Sequence, residues 1–149
     1  MTLEELLKEI KACQRCELRM TATSPVPGYG EIGAEYFLIG EAPGQQEDAE
    51  GIPFVGRSGQ RLNKLLELAG IAQADVYLSN VCRCRPMDNK TPKKKEVNAC
   101  KEFLMREIRL VKPQLVITLG STPLSLFTDS GGVSTMHGTV FESEIPDDD

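Results

Sequence analysis

Apolar and polar positions change period several times along this chain, and each change marks an element. Leu3, Leu6, Leu7 and Ile10 recur at helical spacing, and Thr2 with Glu5 fits a capping box, so a short amphipathic helix opens the protein and runs straight into Cys13. Proline and glycine then make "CELRMTATSPVPGYGEIGA" a loop, before the apolar run "EYFLIG" reads as a buried strand. Ser58 is placed to cap a helix whose inner face is Leu62, Leu65, Leu66 and Ala69 and which ends at Gly70. "DVYLSNV" is a second strand. Val97, Cys100, Phe103, Leu104, Ile108 and Val111 predict a third helix, stopped by Pro113, and "QLVITLG" a third strand.

Apolar strands that alternate with amphipathic helices predict an α/β fold: a central parallel sheet covered by helices on both faces, three layers in all. Ligands of such sheets bind at the carboxyl ends of the strands, which puts Gly40 to Gly44, Asn80 and Gly120 on one rim.

The 149 residues suit one domain with a real core. No apolar stretch approaches the roughly 20 residues of a membrane span, and "MTLEELLKEI" lacks the features of a secretory signal, so a cytoplasmic protein is expected. The net charge of −5 argues weakly against a polyanionic partner. Its distribution argues the other way: residues 81 to 112 carry ten Lys and Arg against four Asp and Glu, which predicts one basic face. The segment "RCRPMDNKTPKKKE" is suited to phosphate contacts, although a run such as Lys93 to Lys95 is also what a solvated surface looks like.

Five cysteines in a cytoplasmic chain read as metal or redox ligands before disulfides. Cys13 and Cys16 form a C-x2-C pair, and Cys84 and Cys100 stand beside the basic segment. Four thiolates complete a tetrahedral zinc site or hold a [4Fe–4S] cluster, and spacing does not separate the two. Strand alternation would put Cys82 on the same face as Cys84, so spacing does not exclude it as a ligand either.

The loop "GEAPGQQEDAEGIPFVG", residues 40 to 56, lets a flat ligand approach its amides, with Glu41 and Glu47 as neighbouring carboxylates. Phe54 offers a ring for stacking on a base, or ordinary core packing. Asn80 at a strand end presents a donor and an acceptor together, which suits one edge of a nucleobase or simply a turn.

In their joint order and spacing, "CQRC", "GEAPGQQED", "GIPFVG", "SNVCRCRP" and Cys100 resemble the family 4 uracil-DNA glycosylases, the iron–sulfur branch of that superfamily, from residue 1 to about residue 140. The resemblance implies a four-stranded parallel sheet between helices, and a structural [4Fe–4S] cluster held by Cys13, Cys16, Cys84 and Cys100 with Cys82 a bystander. It implies that uracil flipped out of DNA stacks on Phe54 and bonds Asn80 by its O4/N3 edge. Gly40, Glu41 and Ala42 would line its pocket, with Glu41 and Glu47 near the scissile bond. The reaction would be hydrolysis of the N-glycosidic bond in base-excision repair, carried out by a monomer on uracil-containing DNA and away from membranes.

The chain departs from the family where a His-Pro motif should follow a final strand. It carries no such motif, and its only histidine, His137 in "STMHGTV", precedes that region and is expected in an exposed turn. The chain is therefore expected to be a C-terminally truncated copy with impaired activity, or else a non-catalytic iron–sulfur module that binds nucleic acid. The covalently trapping relative is disfavoured, because "RPMDNKTP" follows Cys84 with no inserted histidine.

Overall fold

The computed structural model describes residues 1–129 and 131–145. Three parallel strands, β1 (Tyr36–Gly40), β2 (Val76–Asn80) and β3 (Leu115–Thr118), form a sheet in the order β2–β1–β3. The long helices are α1 (Leu3–Lys11), α4 (Arg57–Leu68) and α5 (Lys94–Val111). Short ones are α2 (Leu18–Thr21), α3 (Gln45–Glu50), α6 (Ser121–Ser125) and α7 (Val133–Met136).

Strand alternation distributes the core. Phe37 and Ile39 of β1 enter the cluster built by Leu6, Ile10, Phe103, Leu104 and Ile108 of α1 and α5. Leu38, between them, points the other way, to Leu62 and Leu66 of α4 and Val76 of β2. The sheet is thus covered on both faces, as the periodicity predicts, and each such buried side chain contributes about 1.5–3 kcal/mol. Thr2 caps α1 with the full reciprocal bond to Glu5. Arg106 of α5 then holds Glu9 of α1 at 2.7 Å.

Four expectations change. Gly56, not Ser58, caps α4, because its amide is taken by Glu47 and the helix starts earlier. The inner stripe of α4 is Gly59, Leu62 and Leu66; Leu65 is 63% exposed and Ala69 is exposed, since the helix meets the sheet along a narrow line and its last turn overhangs. Two segments expected as loops contain a helical turn, α2 behind Cys16 and α3 behind Gly44. β2 ends at Asn80, so strand alternation says nothing about Cys82 and Cys84.

The sheet has three strands among the described residues, not four, and residues 139 to 145 lie outside any strand. β3 is only half-buried in consequence. Among the described residues no helix is long and apolar enough to cross a membrane.

Candidate active site and cysteine cavity

Parallel register places Gly40 beside Asn80 at the carboxyl ends of β1 and β2. Above them lies a cleft of about 160 Å3 lined by Ala42, Gly44, Glu47, Phe54, Ser58, Gly59 and Asn80. Sites for drug-sized ligands run to roughly 300–1,000 Å3, so this cleft suits one small ring. The expected residues Ala42, Glu47, Phe54 and Asn80 therefore meet in one place. Gly40 forms the back of it.

Two glycines make the arrangement possible. A Cβ on Gly40 would stand 2.5 Å from Asn80 Oδ1 and 2.7 Å from Phe54 Cζ, and one on Gly59 would stand 1.9 Å from the Phe54 carbonyl oxygen. Phe54 itself adopts φ 57, a left-handed conformation that a bulky residue holds only where its surroundings enforce it. One side of its half-buried ring packs against the Leu38–Leu62 core and the other lines the cleft, so core packing and a stacking face coexist.

Glu47 supplies the enforcement. Its Oε1 accepts from the Gly44 amide at 3.0 Å, and its Oε2 accepts from the amides of Val55 at 3.0 Å and Gly56 at 2.5 Å. One carboxylate thus clamps the segment carrying Phe54 onto the rim loop. Glu41 lies outside the cleft lining; its Oε2 accepts from Thr122 Oγ1 of α6 at 2.7 Å, which joins the β3 end of the rim, where Gly120 takes φ 105, to the β1 end. Asn80 is 5% exposed, and its side-chain amide makes no hydrogen bond to protein among the described residues. It faces the cleft as a spare donor and acceptor.

Periodicity missed Ser58, Gly59 and Thr122. The one available signal was Gly59 in the first turn of a helix, where a glycine is unfavourable unless something must approach closely. His137 is exposed at the end of α7 and no part of the cleft.

A second cavity lies behind the rim, between the end of α1, the segment after β2 and the face of α5. Cys13, Cys16, Cys84 and Cys100 line it together with Arg15, Arg19 and Arg83; Cys82 does not. Backbone amides point at the sulfurs: Arg15 N–H to Cys13 at 3.4 Å, Arg83 N–H to Cys100 at 3.3 Å, and those of Leu18 and Arg19 to Cys16. A hydrogen bond from Cys82 and the nearby Arg83 charge pull the Cys100 thiol down to about 7 against its burial, whereas burial pushes Cys84 up to about 12. Four thiols line this one cavity and three of them are met by N–H donors, a set of the chemical kind that an iron–sulfur cluster takes. Among the described residues no group of three or more His, Cys, Asp or Glu side chains is arranged to hold a metal ion.

Lys93, Lys94 and Lys95 are exposed at the start of α5, next to this cavity.

A parallel sheet with a small cleft at the carboxyl ends of its strands defines an α/β protein whose ligand site lies on that rim. Residues 27–147 match the model of the uracil DNA glycosylase superfamily, and the chain belongs to that superfamily. Among its relatives is the type-4 uracil-DNA glycosylase of Thermotoga maritima, 42% identical over 137 residues that cover 89% of this chain and 71% of the relative. The type-4 enzyme of Archaeoglobus fulgidus is 37% identical over 148 residues, covering 96% of this chain and 74% of its own length. That of Pyrobaculum aerophilum is 42% identical over 120 residues, covering 80% and 61%.

Proposed function

We propose that this protein is a uracil-DNA glycosylase of base-excision repair, acting in the cytoplasm on uracil flipped out of DNA. The observation that carries the reading is the meeting of the Phe54 face and the unpaired Asn80 amide across one cleft of single-ring size. Stacking on Phe54 stabilises an extruded base, and the Asn80 amide pairs with the O4/N3 edge of uracil; cytosine presents the wrong donor pattern there and leaves buried groups unpaired. Gly40 and Ala42 let the ring lie close to the backbone.

In the reaction a water oxygen bonds to the sugar C1′ as the C1′–N1 bond breaks, and the bonding electrons leave with the uracil, which takes up the proton. Glu41 and Glu47 contribute negative charge beside a sugar that becomes cationic. Glu47 acts chiefly by holding Phe54, since both its oxygens are already bonded to amides.

Cys13, Cys16, Cys84 and Cys100 would hold a [4Fe–4S] cluster. Zinc requires four sulfurs within about 2.3 Å of one point. The family resemblance carried by these four cysteine positions, rather than the placement of the thiols, favours a cluster over zinc. Bound there it supplies a structural staple across three segments of the chain. Lys93 to Lys95, beside it, supply phosphate contacts for DNA.

One observation favours a second reading, a module of this fold that binds without cutting: among the described residues no imidazole lines the cleft to stabilise a departing anion. Incubation with a uracil-containing oligonucleotide separates the two. Free uracil and an abasic site are expected; steeply salt-dependent binding with no uracil released would establish the module instead.

A further inference from the structure

The least economical feature of the molecule is an arginine in its core. Arg83 is 1% exposed and Glu107, its ion-pair partner on α5, is 0% exposed. The two are unequally served. Glu107 is saturated: Oε2 accepts from the Gly28 amide at 3.1 Å and Tyr77 Oη at 2.7 Å, and Oε1 from Ser79 Oγ at 2.8 Å and from Arg83 Nη2. Arg83, by contrast, leaves Nε and Nη1 buried without a partner among the described residues. Buried donors left unmade are costly and rare, and a charged pair that is satisfied on one side only points to a missing acceptor on the other.

The cysteine cavity is the candidate place for it. Arg83 lines the cysteine cavity, its own amide reaches Cys100 at 3.3 Å, and its charge acts on the Cys100 sulfur. A four-iron cluster with its thiolates is a net anion ringed by sulfur acceptors, and N–H donors and charge around it set its potential. We propose that Arg83 is the internal counter-cation of the cluster, with Nε and Nη1 donating to its sulfur while Glu107 anchors Nη2 and limits how much positive charge the cluster feels. The proposal rests on the cluster reading above and adds to it a positioning pair, Arg83 and Glu107, whose side chains touch neither DNA nor the cleft.

Its consequence has a sign that a purely structural role lacks. Positive charge favours the reduced, more negative cluster. Arg83→Met should therefore shift the reduction potential to more negative values, Arg83→Lys should stay near the parent, and Glu107→Gln, which frees the arginine charge, should shift it to more positive values. The full chain is purified without oxygen, its iron content and absorbance near 400 nm are measured, and the potential is read by titration. Opposite shifts for Arg83→Met and Glu107→Gln support the proposal; shifts of one sign, or none, overturn it. Should Arg83→Met fail to load iron, retention of iron by Arg83→Lys supports the role of charge, and equal loss in both overturns it. A parent protein that takes up no iron and shows no such absorbance sinks the cluster reading itself, whereas a loaded parent with indifferent variants sinks this proposal alone.

Discussion

The cleft and the cysteine cavity lie on either side of the same rim and are built by opposite means. The cleft is small and mixed in polarity, and its shape is set by backbone: two glycines, one strained Phe54 and three amides held by Glu47. The cavity is walled by sulfur and buried charge, and it joins segments as far apart in sequence as Cys13 and Cys100. The difference separates two tasks. The unpaired Asn80 side chain of the cleft should therefore be replaceable at little cost to the fold, whereas a thiol of the cavity should not.

The strongest test of that contrast is to remove a sulfur. Cys84→Ser or Cys100→Ser should abolish the 400 nm absorbance and lower stability by upward of about 5 kcal/mol, as metal-coupled folding implies, seen as a lost or broadened thermal transition. Asn80→Ala should do the reverse, slowing uracil release on the order of 10²–10³-fold with a melting temperature near the parent's. Equal thermal losses from both substitutions would erase the distinction.

Glu47→Gln sits between them. One acceptor oxygen is replaced by a donor that faces amides, so a loss of about 1–3 kcal/mol is expected together with weaker substrate binding, read as a raised KM for the oligonucleotide. The smallest effect belongs to the surface. A hydrogen bond from Arg106 holds the Glu9 carboxyl below its ordinary value, so this pair contributes stability above the usual carboxylate range that disappears as pH falls through the depressed folded value. Glu9→Gln should cost about 0.2–1 kcal/mol near neutral pH and flatten that part of the acid limb of a denaturation curve, leaving uracil release unchanged.

Periodicity read the strands and the long helices because their causes are local. The Thr2–Glu5 cap, the alternation of Phe37, Leu38 and Ile39, and the run from Val97 to Val111 each carry their own signal. The rim positions followed from the rule that parallel sheets bind at their carboxyl ends, and register brought Gly40 to Asn80. The cysteines that line the cavity are the four that the family resemblance picked out, which spacing had not separated from Cys82.

What stayed hidden depends on partners remote in sequence. Nothing periodic marks Glu47 as the clamp of Val55 and Gly56, or Glu107 as the acceptor for Gly28, Tyr77, Ser79 and Arg83. Charged residues are expected outside, and these two carboxylates are held by donors from other elements. The half-burial of β3 was equally invisible, since "QLVITLG" is as apolar as a fully covered strand and only the tertiary structure tells that one flank is open.

A last detail concerns Asp48, the neighbour of Glu47 on α3. Its carboxylate, 8% exposed, receives the Thr23 amide at 2.9 Å and the Thr23 hydroxyl at 2.7 Å, and Thr23 follows the helical turn that begins just past Cys16. This knot moors the strap that follows Cys16 to the very helix that sets the aromatic wall. Slack in the segment after Cys16 is thereby handed on to the edge that carries Phe54.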